Sequence, residues 1–216
     1  MFMNTVKFVL TLTMVSALLP APAHAAGETV LEAVRSDNPA RVAALLQSDA
    51  DPDHRDKHGM TALMAAANRG DGRSVQALLA AKAGVNLVGN NKWSALMLAT
   101  YEGHAQIVRA LLDAGADTGL RNDIGAPPLM IASFRGFDKI LKILLQAKAD
   151  PNARKSDNGT ALIWAAHEGH KQIVATLLSG GADVHAANDD GKTSLAMARD
   201  QGHPLIAKML IAAGAK

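Results

Sequence analysis

His54 and His58 stand four residues apart, and His167 and His170 stand three apart. Two imidazoles at such spacings can reach one side of a helix, which is how a zinc site begins. Such a site needs at least one further protein ligand, and no third ligand is indicated near either pair. The histidines therefore read as groups that hydrogen-bond locally. Asp123, Asp157-Asn158 and Asp189-Asp190-Gly191 carry the oxygen ligands that calcium prefers. Asp, Asn and Gly are also the residues that tight turns demand, and they read here as turns. The chain has no Gly-x-Ser-x-Gly, no phosphate-cradling glycine loop and no His-Glu-x-x-His, and its Ser, His and Asp residues show no triad spacing. Cysteine is absent, so no thiolate nucleophile, disulfide or Cys-type zinc site exists. The sequence is expected to carry no catalytic residue, cofactor or metal, and to be no enzyme.

The order in the chain lies in a repeat. Residues 94–112 read SALMLATYEGHAQIVRALL and residues 160–178 read TALIWAAHEGHKQIVATLL, 66 positions later. Steps of 33 from Thr61 land on Ser94, Pro127, Thr160 and Thr193 without a slip. Two residues past each stop is leucine (Leu63, Leu96, Leu129, Leu162, Leu195), nine past is glycine (Gly70, Gly103, Gly136, Gly169, Gly202), and seventeen past is leucine again. One step backward reaches Glu28, where the apolar frame continues through Val30, Ala33, Val42 and Leu45, with Asp37 in the glycine position. A fixed period of this size marks stacked repeats.

Each unit predicts two short helices and a connector. Thr160 can cap the helix that starts at Ala161, Gly169 can close it in a left-handed conformation, and Ile173, Val174, Leu177 and Leu178 form one stripe on a second helix, 171–179. The segment GGADVHAANDDG then makes a turn-rich loop. Helices of this length do not persist alone in water, so stacking must supply their burial. Pro39 and Pro204 share one repeat position, the first turn of the second helix, where a missing amide costs little.

Composition narrows the classes further. Apolar residues make up 49% of the chain and aromatic ones 3%, which suits closely packed Ala- and Leu-rich helices. A formal charge of +2 provides no field for steering nucleic acid. At the N-terminus, Lys7 precedes an apolar run from Phe8 to Leu19, then Pro20, Pro22 and the small-x-small triplet Ala23-His24-Ala25. This is a signal-peptide pattern with cleavage expected after Ala25, and the run is well short of the ~20 residues a membrane-spanning helix needs. The expected location is the periplasm or the exterior, with no stable membrane anchor.

The repeat itself, Gly-x-Thr-x-Leu-x-x-Ala-Ala-x-x-Gly-His-x-x-Ile-Val-x-x-Leu-Leu-x-x-Gly-Ala-Asp, resembles the ankyrin repeat; Lys92 to Asp117 and Asn158 to Asp183 follow it closely. The resemblance spans about 28–216. It implies an all-α solenoid of about six repeats including caps: an N-terminal capping repeat at 26–60, four full repeats at 61–93, 94–126, 127–159 and 160–192, and a C-terminal capping repeat at 193–216. Of the Pro and His that the family often places after its Thr, the Pro position holds Ala62, Ala95, Pro128, Ala161 and Ser194, and the His, which usually ties neighbouring loops, is replaced by Met64, Met97, Met130, Ile163 and Ala196.

The resemblance also implies a protein-binding function through a concave surface of loop tips and exposed first-helix ends, in a chain expected to be a monomer. The candidate partner-binding residues at those positions are Lys57, His58, Met60, Arg69, Asn90, Asn91, Trp93, Tyr101, Ile124, Phe134, Arg135 and His167. Trp93, Tyr101 and Phe134 are expected to be exposed on adjacent repeats, beside His167, whereas Trp164 is open between core and surface. The partner would be a periplasmic or secreted protein. The alternative is a small ligand or metal held in the groove by His167 and its aromatic neighbours.

Overall fold

A computed structural model describes residues 28–216; the expected signal peptide, 1–25, lies outside the described residues. In chain order the helices are α1 (Val30–Arg35), α2 (Pro39–Gln47), α3 (Ala62–Arg69), α4 (Gly72–Ala80), α5 (Ala95–Glu102), α6 (Ala105–Asp113), α7 (Pro128–Arg135), α8 (Asp138–Gln146), α9 (Ala161–His167), α10 (Lys171–Ser179), α11 (Ser194–Asp200) and α12 (Pro204–Ala212). Odd-numbered helices pack on odd-numbered ones and even on even from unit to unit, and the two helices of each unit pack on each other. The result is the expected all-α solenoid. Among the described residues the only bridges outside helices are Val88 with Ser94 and Ala187 with Thr193, both at the bases of loops.

The helix starts follow from hydroxyl caps. Thr61, Ser94, Thr160 and Thr193 accept from the amides of Met64, Met97, Ile163 and Ala196 at 3.2–3.4 Å. The α7 unit has Pro127 in that place, which makes no side-chain cap, but Pro128 at the first helical position presets φ there. In the first unit the apolar frame keeps the period of 33, but the cap falls one residue later. The cap is Thr29, not Glu28, because Thr29 and Glu32 form a reciprocal capping box: the Glu32 amide donates to the Thr29 hydroxyl at 3.2 Å, and the Thr29 amide donates to the Glu32 carboxylate at 2.7 Å. Glu28 instead accepts from Arg41 Nε at 2.8 Å.

One position locks each unit to the next. Gly70, Gly103, Gly136 and Gly169 have φ between +75° and +83°. Each also lies under a ring of the following unit, so that an added Cβ would sit 2.6–3.0 Å from a ring atom of His104, Phe137, His170 or His203. Three of those rings bind as well: Nε2 of His104, His170 and His203 lies 2.9–3.2 Å from the carbonyl oxygens of Asn68, Phe134 and His167. These are the local hydrogen bonds expected of the histidines, and they cross between units.

Four of the five residues that replace the family's loop-tying histidine are core: Met64, Met97, Met130 and Ile163 are buried, and Ala196 in the last unit is half-buried. The loops are tied in another way. A backbone amide of each tip donates to the previous tip, from Asn90 to His58, Asp123 to Asn91, Ser156 to Ile124 and Asp189 to Asp157, at 2.9–3.3 Å. Below the tips, Arg55 donates to the Val88 carbonyl at 2.7 Å and Arg154 to that of Ala187 at 3.1 Å, while Arg121 donates to that of Arg154. At the loop bases Asn86 and Asn152 each donate to one carbonyl of the next unit (Gly115, Gly181) and accept from one amide (Asp117, Asp183).

Candidate functional site

The ends of α3, α5, α7, α9 and α11 and the loop tips beside them form one inner face. Its side chains are placed by the repeat itself, since residues 33 apart lie side by side in adjacent units. Tyr101, Phe134 and His167 are such a series, as are Met60 with Trp93 and Trp164 with Met197.

The aromatic side chains meet in two pairs. Trp93 and Tyr101 pack edge to face with centroids 5.6 Å apart, and Phe134 and Trp164 do so at 4.8 Å. Arg135 covers the first pair, with its guanidinium carbon 4.4 Å from the Tyr101 centroid, and lies 5.6 Å from that of Phe137, which is in neither pair. Lys155 lies 5.4 Å from the Trp164 ring and pairs with Asp157. Cations held on ring faces in this way are attracted by the ring quadrupole, and their long stems lie over apolar surface. Partial burial works to raise the Asp157 carboxyl, but the Lys155 ammonium and the Gly159 amide outweigh it and hold that carboxyl below its ordinary range.

Two hollows open on this face. One, of about 280 Å³, is lined by His58, Met60, Met64, Asn90, Asn91 and Trp93, between the second and third units. The other, of about 250 Å³, has Phe134, Ile163, Trp164 and Met197 as its apolar lining and Lys155 and His167 among its polar residues, across the fourth to sixth units. His167 Nδ1 lies 2.8 Å from a Glu168 carboxylate oxygen.

The structure thus brings His58, Met60, Asn90, Asn91 and Trp93 together in one hollow and Phe134 and His167 in the other, with Tyr101 and Arg135 between. Lys57 is exposed at the first rim, where its carbonyl accepts from Asn90 Nδ2 at 3.1 Å. Arg69 and Ile124 line neither hollow; Arg69 reaches Asp37 at 3.4 Å, and Ile124 is exposed by 46%. Trp93 and Tyr101 are half-buried rather than exposed, because each covers part of the other; Phe134 alone of the three stays open, at 36%. Trp164 is half-buried and belongs to the second hollow. Lys155 and Met197, which sequence reasoning left out, belong there too. The signal for Met197 was its place 33 residues after Trp164; nothing in the repeat singles out Lys155.

Among the described residues no group of three or more His, Cys, Asp or Glu residues is placed to hold a metal ion, and no helix is long and apolar enough to cross a membrane. The model of the ankyrin repeat family, in three copies, matches residues 30–122 and again 125–216. No curated protein matches the chain. With six stacked helix pairs among the described residues and the family pattern over most of its length, the chain belongs to the ankyrin-repeat family. Ankyrin repeats are in general protein–protein interaction modules, and proteins built of them are typically non-enzymatic scaffolds.

Proposed function

We propose that this chain is a non-enzymatic binding protein that holds a protein partner on its inner face, in the periplasm or outside the cell, after removal of residues 1–25. The observation that carries the reading is the placement of the aromatic residues. Of the five among the described residues, Trp93, Tyr101, Phe134 and Trp164 gather on one face over four consecutive repeats, with Arg135 and Lys155 against their rings. Aromatic residues and arginine are the side chains that most often carry the energy of a protein interface. A partner covering this face would bury on the order of 800 Å² on each side, enough for a specific complex. The basic residue, apolar run and small-x-small triplet of residues 1–25 support export, and a cysteine-free chain suits an oxidising compartment.

The test is co-purification from the periplasmic fraction with the full chain and with a Trp93→Ala/Phe134→Ala double variant. The expected result is one protein recovered at near-equal stoichiometry with the parent and lost with the folded double variant. Recovery of nothing, or of the same protein by both baits, would overturn the reading. A rise in melting temperature with Zn²⁺ alone would favour the small-ligand alternative.

A further inference from the structure

Resting on that reading, we propose that the inner face takes an extended polypeptide segment with two apolar anchor side chains. One anchor would occupy the Met60–Trp93 hollow and the other the Phe134–Trp164–Met197 hollow, with the acidic end of the segment at the first and the basic end at the second.

The spacing comes from the stack. The first hollow lies at the junction of the second and third units and the second is centred on that of the fifth and sixth, three repeats further on. Packed helices lie about 8–10 Å apart, so the hollows are separated by roughly 24–30 Å. An extended chain rises about 3.3 Å per residue, which puts the two anchors about seven to nine residues apart. A helix would need about twice as many residues to cover that length, at about 1.5 Å each.

The chemistry of the hollows selects the anchors. Each has the room for one large apolar side chain. Each also contains methionine, an adaptable apolar contact, and the edge or face of a tryptophan. The charges select the direction. Lys57, His58 and Lys92 stand at the first hollow, with Lys57 and Lys92 exposed. At the far side of the second, Asn188 leads into Asp189 and Asp190 at the tip of the last loop, and Lys192 is already taken by Asp200 at 2.6 Å. Between the hollows, Arg135 on Tyr101 offers a flat donor surface to a passing backbone carbonyl.

The chain contains only two tryptophans, and one stands in each hollow. Trp93→Phe and Trp164→Phe variants each leave a single tryptophan, which reports on one hollow when excited at wavelengths Tyr101 does not absorb. The experiment selects a display library of random linear fifteen-residue peptides on the full chain, then titrates the enriched peptides into both variants. The expected peptides carry two large apolar residues seven to nine positions apart, acidic on one flank and basic on the other. They shift the emission of both variants, and replacing either anchor by alanine weakens binding at least about tenfold, as two linked contacts require. Peptides that move one tryptophan and leave the other silent would overturn the two-anchor inference while keeping the inner face as a binding surface. Peptides that bind and move neither would count against both readings. Failure of any peptide to enrich would overturn the extended segment and leave the proposed function to its own co-purification test.

Discussion

The spine of the molecule and the strip on its inner face are made from the same repeat, yet they treat it in opposite ways. In the spine the last five units place the same residue type in the same spot: Leu63, Leu96, Leu129, Leu162 and Leu195 are all buried, and so are Leu78, Leu111, Leu144, Leu177 and Leu210. In the strip the units differ: one position holds Tyr101, Phe134 and His167, and the next changes from Glu102 to Arg135 and back to Glu168. Sameness suits a stack whose stability is a sum of like units and like junctions. Difference suits a surface that must distinguish one partner from others. Damage to the spine should therefore cost stability and damage to the strip should cost recognition.

The largest effect is expected in the spine. Leu144→Ala empties a fully buried site in α8 and should lower the unfolding free energy by about 3 kcal/mol in urea titration, with affinity per folded molecule unchanged. The glycine junctions come next. Gly136→Ala must hold φ near +75° and put its Cβ 2.8 Å from the His170 ring. It should cost about 2 kcal/mol or more, the sum of the left-handed conformation and the displaced ring. Gly202→Ala at the same repeat position meets nothing within 4 Å, and should cost about 1 kcal/mol, from the backbone conformation alone. Equal losses for the two would show that the ring contact adds nothing.

In the strip the signs reverse. Phe134→Ala should weaken partner binding by about 2 kcal/mol, roughly thirtyfold, as for an interface anchor. Its stability should fall by only about 1 kcal/mol, for the lost edge-to-face contact with Trp164.

The smallest effect belongs to the first unit. The Arg35 guanidinium holds the Asp56 carboxyl at about 2, against 3.8 for a free one. A depressed carboxyl contributes stability that is fully present above its unfolded value and is lost as pH falls. The contribution should thus be complete above about pH 4 and fade towards pH 2. With Arg35 half exposed it amounts to no more than about 1 kcal/mol. Asp56→Asn should flatten the acid limb of the stability profile by lowering stability above about pH 4 by up to that amount, with the stability near pH 2 nearly unchanged.

The spine was open to sequence reading because repetition states each position several times over. Gly169 and the 171–179 helix could be placed from one unit and checked against four others. The apolar frame of the first unit follows the period, but the start of α1 is set by a local capping box, Thr29 with Glu32, that the other units lack. The strip is stated only once. Tyr101, Phe134 and His167 could be placed on the face from their register, but the mutual burial of Trp93 and Tyr101 depends on side-chain directions that register does not give. The second hollow draws on three units, with Phe134 and Lys155 from one, Trp164 from the next and Met197 from the last. Lys155 comes from a connector, where no stripe or cap singles out a residue.

The separation of spine and strip is tested most directly by measuring melting temperature and partner retention together for Phe134→Ala. The account predicts a melting point within about 4 °C of the parent, as about 1 kcal/mol implies for a chain of this size, and loss of most of the bound partner. A variant that melts far lower, and keeps its partner in proportion to the fraction still folded, would contradict it.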